Sequence, residues 1–231
     1  MVDGILKYFN VIATDLAVVV QNDKFGLPLF QYIEQSLKGG KYPNVKLVGS
    51  ITLDRKATKL DNEAQQILSM RPRAVIGLCN PTTCAELVAT LHKQTAASLE
   101  RRPAIAQLSN IDMLAQFQKV GGTGMVGNPF AQVMPDPRRP VLQISRDFIA
   151  AAKEHGVEVN YRSYEGYVSA AVLVEGLRRA KSLTRQGVKD AMEGLGNTSV
   201  GGFSVEYTAA KRTGSNYVEL VSLDTHGRLL R

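Results

Sequence analysis

Residues 16–119 repeat one pattern four times, a short apolar run, a polar turn and then a segment of helical period, and this repetition limits the available folds more than any other feature. Strand 16–20 leads to helix 27–38, strand 45–52 to helix 60–70, strand 74–79 to helix 84–96, and strand 103–108 to a short helix at 111–119. In the first helix Leu29, Phe30, Ile33 and Leu37 recur at three- and four-residue spacing along one face, and Gly39-Gly40 stops it. Strands that alternate with helices pair in parallel, and right-handed crossovers make a doubly wound sheet the expected topology. The expected fold class is α/β.

The pattern changes near residue 121. Gly121 to Pro140 is rich in Gly and Pro, with a strand expected around Ala131 to Met134; Pro135, Pro137 and Pro140 then deny the backbone helical hydrogen bonds. This stretch reads as a crossing between lobes. Helices follow at 141–155, 164–181 and 184–194, the last opened by Thr184 as N-cap. Residues 200–231 read as paired strands, with Tyr217, Val218, Leu220, Val221 and Leu223 in one and Asp224-Thr225-His226-Gly227 as its turn. Ala170, Ala171, Val172, Val174 and Leu177 form a broad apolar face with few strands nearby in sequence, so its cover must come from elsewhere.

Several function classes are disfavoured. The net charge of +7 sits on scattered pairs (Arg101-Arg102, Arg138-Arg139, Arg178-Arg179) without interleaved aromatics, which reads as solvated surface and not as a nucleic-acid interface. No apolar run approaches the roughly 20 residues of a membrane span. Residues 1–9 carry Asp3 and Lys7 and lack a signal-peptide pattern. Gly122-Thr-Gly124-Met-Val-Gly127 matches a dinucleotide fingerprint as a string, but a helix precedes it and Asn128-Pro129 follows, so it reads as a flexible connector and no cofactor is expected. His92, His155 and His226 have structural explanations on a helix surface, at a helix C-terminus and in a turn. No nucleophile motif or metal-ligand set accompanies them, so neither a catalytic nor a metal site is expected. Cys79 and Cys84, five apart, either pair or stay free.

In an open α/β sheet ligands sit beyond the carboxyl ends of the strands, which directs attention to the loops there. Asn22 and Phe25 follow the first strand, Asn80 and Thr82 the third, and Ser109 with Asn110 the fourth. Thr83 with Glu86 fits a capping box.

Gln21-Asn22-Asp23-Lys24-Phe25-Gly26, Pro72-Arg73-Ala74-Val75-Ile76, Tyr164-Glu165-Gly166-Tyr167-Val168-Ser169-Ala170-Ala171 and the closing Gly201-Gly202-Phe203, Tyr217-Val218-Glu219-Leu220 and Asp224-x-x-Gly227-Arg228 stretches recur in an order and spacing that resembles the type I periplasmic solute-binding proteins of branched-chain amino-acid ABC transporters. The resemblance implies two α/β lobes that close on a solute and hand it to an ABC permease. It assigns 14–134 and 216–231 to the C-terminal-type lobe, and 1–13 and 135–215 to an incomplete N-terminal-type lobe whose first strands, with the export signal, would precede this chain. It further implies a periplasmic location, self-association through the incomplete lobe, and no catalysis. Carried over by position, the ligand-contacting aromatics are Phe25 and Tyr164. Asn80 stands where leucine-type members have a tyrosine, and Ser109 where they have the acid that pairs the ligand ammonium. Because an unpaired buried ammonium is costly, an organic acid or aromatic carboxylate stays open as the ligand beside an amino acid. The rival readings are a ligand-sensing regulator of the same fold and a small α/β enzyme.

Overall fold

A computed structural model describes Gly4 and residues 14–40 and 42–230. The rest of the 1–13 segment assigned above to the N-terminal-type lobe lies outside the described residues. The chain divides into two compact units: one runs to Ala131 and resumes at Leu220, and the other is Gln132–Glu219.

The first unit is built on the four expected repeats. Its elements are β1 (Thr14–Gln21), α1 (Gly26–Lys38), β2 (Val45–Leu53), α2 (Asp61–Met70), β3 (Ala74–Leu78), α3 (Pro81–Gln94), β4 (Ala104–Gln107), α4 (Met113–Val120), the four-residue α5 (Gly122–Met125) and β5 (Phe130–Gln132). Strands β8 (Glu219–Leu223) and β9 (Leu229–Leu230) complete a seven-stranded sheet in the order β2-β1-β3-β4-β5-β8-β9. The pairs β1/β2, β1/β3, β3/β4 and β4/β5 are parallel, and β8/β9 is antiparallel. Leu16, Val18 and Val20 of β1 and Ala74, Ile76 and Leu78 of β3 pack with Ile33 of α1, while the alternate residues Ala17, Val19 and Val75 are also buried. Burial of both faces is what helices on two sides of a parallel sheet produce. Each fully buried Val or Leu side chain contributes about 1.5–3 kcal/mol.

Two local expectations change. Helix α3 begins at Pro81 with Asn80 as N-cap, so Thr83 lies one turn inside and forms no capping box with Glu86. Proline at the first helical position needs no hydrogen-bonded amide, which favours the earlier start. The Gly122–Gly127 stretch is a packed turn of the first unit and not a connector: a Cβ on Gly122 would lie 2.4 Å from the Thr225 carbonyl oxygen.

The second unit holds α6 (Gln143–His155), α7 (Tyr161–Arg179), α8 (Arg185–Glu193) and the antiparallel hairpin of β6 (Gly196–Val200) and β7 (Phe203–Tyr207). Asn160 and Ser163 close a capping box three residues earlier than the expected start of α7, and Thr184 caps α8 as expected. Phe148, Tyr164, Val168, Val172, Phe203 and Val205 form the core. Val172 is buried, but Ala170, Val174 and Leu177 of the same helix are exposed.

Candidate functional site

The order of strands sets the place. From β1 the chain moves to β2 on one side and then to β3 on the other, so the winding reverses between β1 and β3. Loops after those two strands diverge there and leave a crevice at the carboxyl edge.

The loop after β1 is fixed by its own residues. Asp23 Oδ1 accepts from the Phe25 and Gly26 amides at 2.9 and 3.1 Å, which turns the chain into α1. Partial burial pushes the Asp23 carboxyl up, but the Gly26 and Phe25 amides, Gln21 and the nearby Arg55 charge outweigh it and hold the carboxyl below its ordinary value. Gly26 is required by a close approach, since a Cβ there would lie 2.2 Å from the Gln21 carbonyl oxygen. The turn leaves Asn22 exposed and the Phe25 ring 39% exposed.

Gln21 and Asn80 lock this loop to its neighbours. Gln21 is 2% exposed, and its Oε1 accepts from the Asn80 amide at 2.9 Å and from Asn80 Nδ2 at 2.8 Å. Asn80 Nδ2 also donates to the Arg55 carbonyl at 2.9 Å, as does the Thr83 hydroxyl at 3.1 Å, which draws in the loop after β2. Asn110 Nδ2 donates to the Cys79 carbonyl at 3.3 Å and draws in the loop after β4. A Cys79–Cys84 disulfide closes the β3 end of this edge, deciding the alternative that spacing left open. The four loops form one preorganised rim.

Of the six residues singled out from sequence, Asn22, Phe25, Thr82 and Ser109 stand on this rim, the first three exposed and Ser109 half-buried. The side chains of Asn22, Thr82 and Ser109 make no hydrogen bond among the described residues, so their polar groups are available to a ligand. Asn80 is on the rim too, but both ends of its amide are engaged in holding it together. Tyr164 belongs to the second unit and is 0% exposed, with its hydroxyl 2.6 Å from Ser145 Oγ and its ring 5.2 Å from that of Phe148. Burial pushes its phenol up, against the Ser145 hydrogen bond. Here it is a core side chain and not a surface contact.

Sequence reasoning passed over Gln21 and Arg55. A polar side chain ending an otherwise apolar strand was the available signal for Gln21, whereas Arg55 sits in a loop without a motif. Charge on the rim is uneven. The carboxylates of Asp23, Asp54 and Asp112 each accept backbone amides of their own turns, while Lys24, Arg55 and Lys56 are exposed.

The periplasmic binding protein family model matches residues 2–228. Similar solved structures include an extracellular ligand-binding receptor from Verminephrobacter eiseniae (TM-score 0.87, 22% identity, 100% of this chain and 64% of that one). A substrate-binding periplasmic protein from Ralstonia solanacearum is similar over 98% of this chain and 63% of its own (TM-score 0.82, 26% identity). A possible leucine/isoleucine/valine-binding protein from Rhodopirellula baltica is similar over 100% of this chain and 62% of its own (TM-score 0.82, 20% identity). The chain thus spans less than two thirds of the length of each. Comparison with curated proteins finds no match.

Proposed function

The chain belongs to the periplasmic binding protein family, and on that premise we propose that it serves as the solute-binding component of an ABC importer whose solute presents an anionic group to the rim of the first unit. The observation that carries this reading is the rim itself. Four loops are tied together by Gln21, Asn80, Arg55 and Asn110, and the groups they leave uncommitted are Asn22, Phe25, Thr82 and Ser109 among exposed Lys24, Arg55 and Lys56. The exposed cations Lys24, Arg55 and Lys56 outnumber the one exposed carboxylate named on the rim, Asp54, which favours a carboxylate over an ammonium, because an ammonium taken from water needs an anionic partner. The apolar part of the solute would lie against Phe25. One similar structure is named as a possible leucine/isoleucine/valine-binding protein. The exposed cations here suit the carboxylate of such a solute, whereas its ammonium would meet neutral oxygens and an excess of positive charge, so a small organic acid fits this rim better than an amino acid.

The same reading includes an extracytoplasmic location and an ABC permease as partner. The disulfide supports the location, since cytosolic thiols are kept reduced. It also includes self-association through the exposed Ala170, Val174 and Leu177 of α7, which light scattering tests by whether mass rises above that of a single chain.

A thermal-shift panel of aliphatic and aromatic carboxylic acids alongside the matching amino acids tests the solute class. A ligand at about 100 times its Kd stabilises by about 2.7 kcal/mol. The carboxylic acids should raise the melting temperature, with the effect reduced by Phe25→Ala and Arg55→Gln. A larger shift from amino acids, undiminished in both variants, would overturn the assignment.

A further inference from the structure

At the opposite edge of the first unit, where β3 and β4 begin, the structure holds a second concavity, of about 490 Å³, lined by Arg71, Arg73, Arg101 and Arg102 with Pro72 and Glu100. Neighbouring parallel strands start side by side, so Arg73 just before β3 and Arg102 just before β4 are brought together by the sheet. Four arginines and one glutamate among the lining residues give it a net charge of +3.

The usual structural explanations leave most of this charge unaccounted for. Arg71, Arg73 and Arg101 make no salt bridge or side-chain hydrogen bond among the described residues. Glu100, whose carboxyl is held below its ordinary value by hydrogen bonds to its own amide and to Ser98 and by the Arg101 charge, is the one carboxylate of the lining. Arg102 Nη1 reaches His92 Nδ1 at 2.6 Å, which engages one of its five N–H groups. Arg71, Arg73 and Arg101 are exposed, so their mutual repulsion is screened by water, and an anion placed among them relieves what remains.

Arg71 adds an independent sign. At φ 51° it is the sole non-glycine residue in the left-handed region among the described residues, at the C-terminus of α2. Gly or Asn is favoured there, and a helix end tolerates an arginine in that conformation at a conformational cost. The C-terminal dipole of α2 favours a cation at this position and offsets part of that cost.

We propose that this recess is a binding site for a phosphoryl oxyanion, carried by a small phosphorylated molecule or by a phospholipid headgroup. Planar guanidinium forks match tetrahedral oxyanions through paired hydrogen bonds, and the volume falls within the range of small-molecule pockets. The site lies at the other edge of the sheet from the solute rim and does not depend on the solute assignment.

Calorimetry with inorganic pyrophosphate, at fixed ionic strength set by sodium chloride, tests the free-molecule source; co-sedimentation with phosphatidylglycerol vesicles, against phosphatidylcholine vesicles, tests the headgroup source. Saturable binding in either arm, weakened about tenfold by Arg73→Gln and by Arg101→Gln, is expected. Arg71→Gly separates site from scaffold: it should raise the melting temperature of the free protein while weakening oxyanion binding about tenfold. No saturable binding in either arm, or binding that survives all three substitutions, would overturn the site.

Discussion

Substituting Asn80 distinguishes a scaffold role from a ligand contact. The side chain works in two halves. Its Oδ1 accepts from the Thr82 and Thr83 amides at 3.0 and 3.1 Å, and its Nδ2 donates to Gln21 Oε1 and the Arg55 carbonyl at 2.8 and 2.9 Å. The accepting half is an N-cap, worth about 1 kcal/mol, and each donated bond is worth about 0.5–1.5 kcal/mol. Asn80→Ala removes both halves and should cost about 2–3 kcal/mol. Asn80→Asp keeps the cap, loses both donors and sets a carboxylate against two oxygen acceptors, for about 1–2 kcal/mol. With a urea m-value of about 2 kcal/mol per M, the midpoint should fall by about 1–1.5 M for Ala and about 0.5–1 M for Asp. Urea unfolding followed by circular dichroism reads both. An Asp variant as stable as the parent chain would refute the claim that the amide ties the loops together. A change in solute affinity with stability intact would return Asn80 to the contact surface.

Gly26→Ala should destabilise the first unit by about 2–3 kcal/mol, because the new Cβ meets a backbone oxygen and not a side chain that can move; a denaturation midpoint equal to the parent's would contradict this. Replacing Cys79 and Cys84 together by Ala should cost about 2 kcal/mol, the loop entropy of a bond spanning a sequence separation of five, as measured by thermal unfolding. The Asp224 carboxyl, held first by the Arg228 amide and also by the Arg228 side chain and the His226 amide, is lowered from 3.8 to about 2. Its contribution is therefore present above the unfolded value near 3.8 and lost as pH falls through about 2; an NMR titration of Asp224 with a midpoint near 3.8 would show that the turn does not hold it.

The βα repeats were legible because a helix or strand buried on one face must repeat its apolar residues at a fixed period: Leu29, Phe30, Ile33 and Leu37 lie against the first unit's core as their spacing required. The turn at Asp224 and the cap at Thr184 were legible for a similar reason, since short polar side chains bond to amides two or three residues away. Local chemistry is written locally. What depended on residues distant in sequence was not legible. The chain alone placed Asn80 among ligand contacts, whereas its partners Gln21 and Arg55 stand 59 and 25 residues away and become neighbours only when β2, β1 and β3 align. Tyr164 was read from position in a motif, but packing of α7 on Phe148 and Ser145 turned it inward. The pairing of Cys79 with Cys84 and the gathering of Arg71, Arg73, Arg101 and Arg102 at one sheet edge were likewise decided by the fold. Periodicity determines which face of an element is buried; strand order and register, set by the whole sheet, determine which polar groups meet.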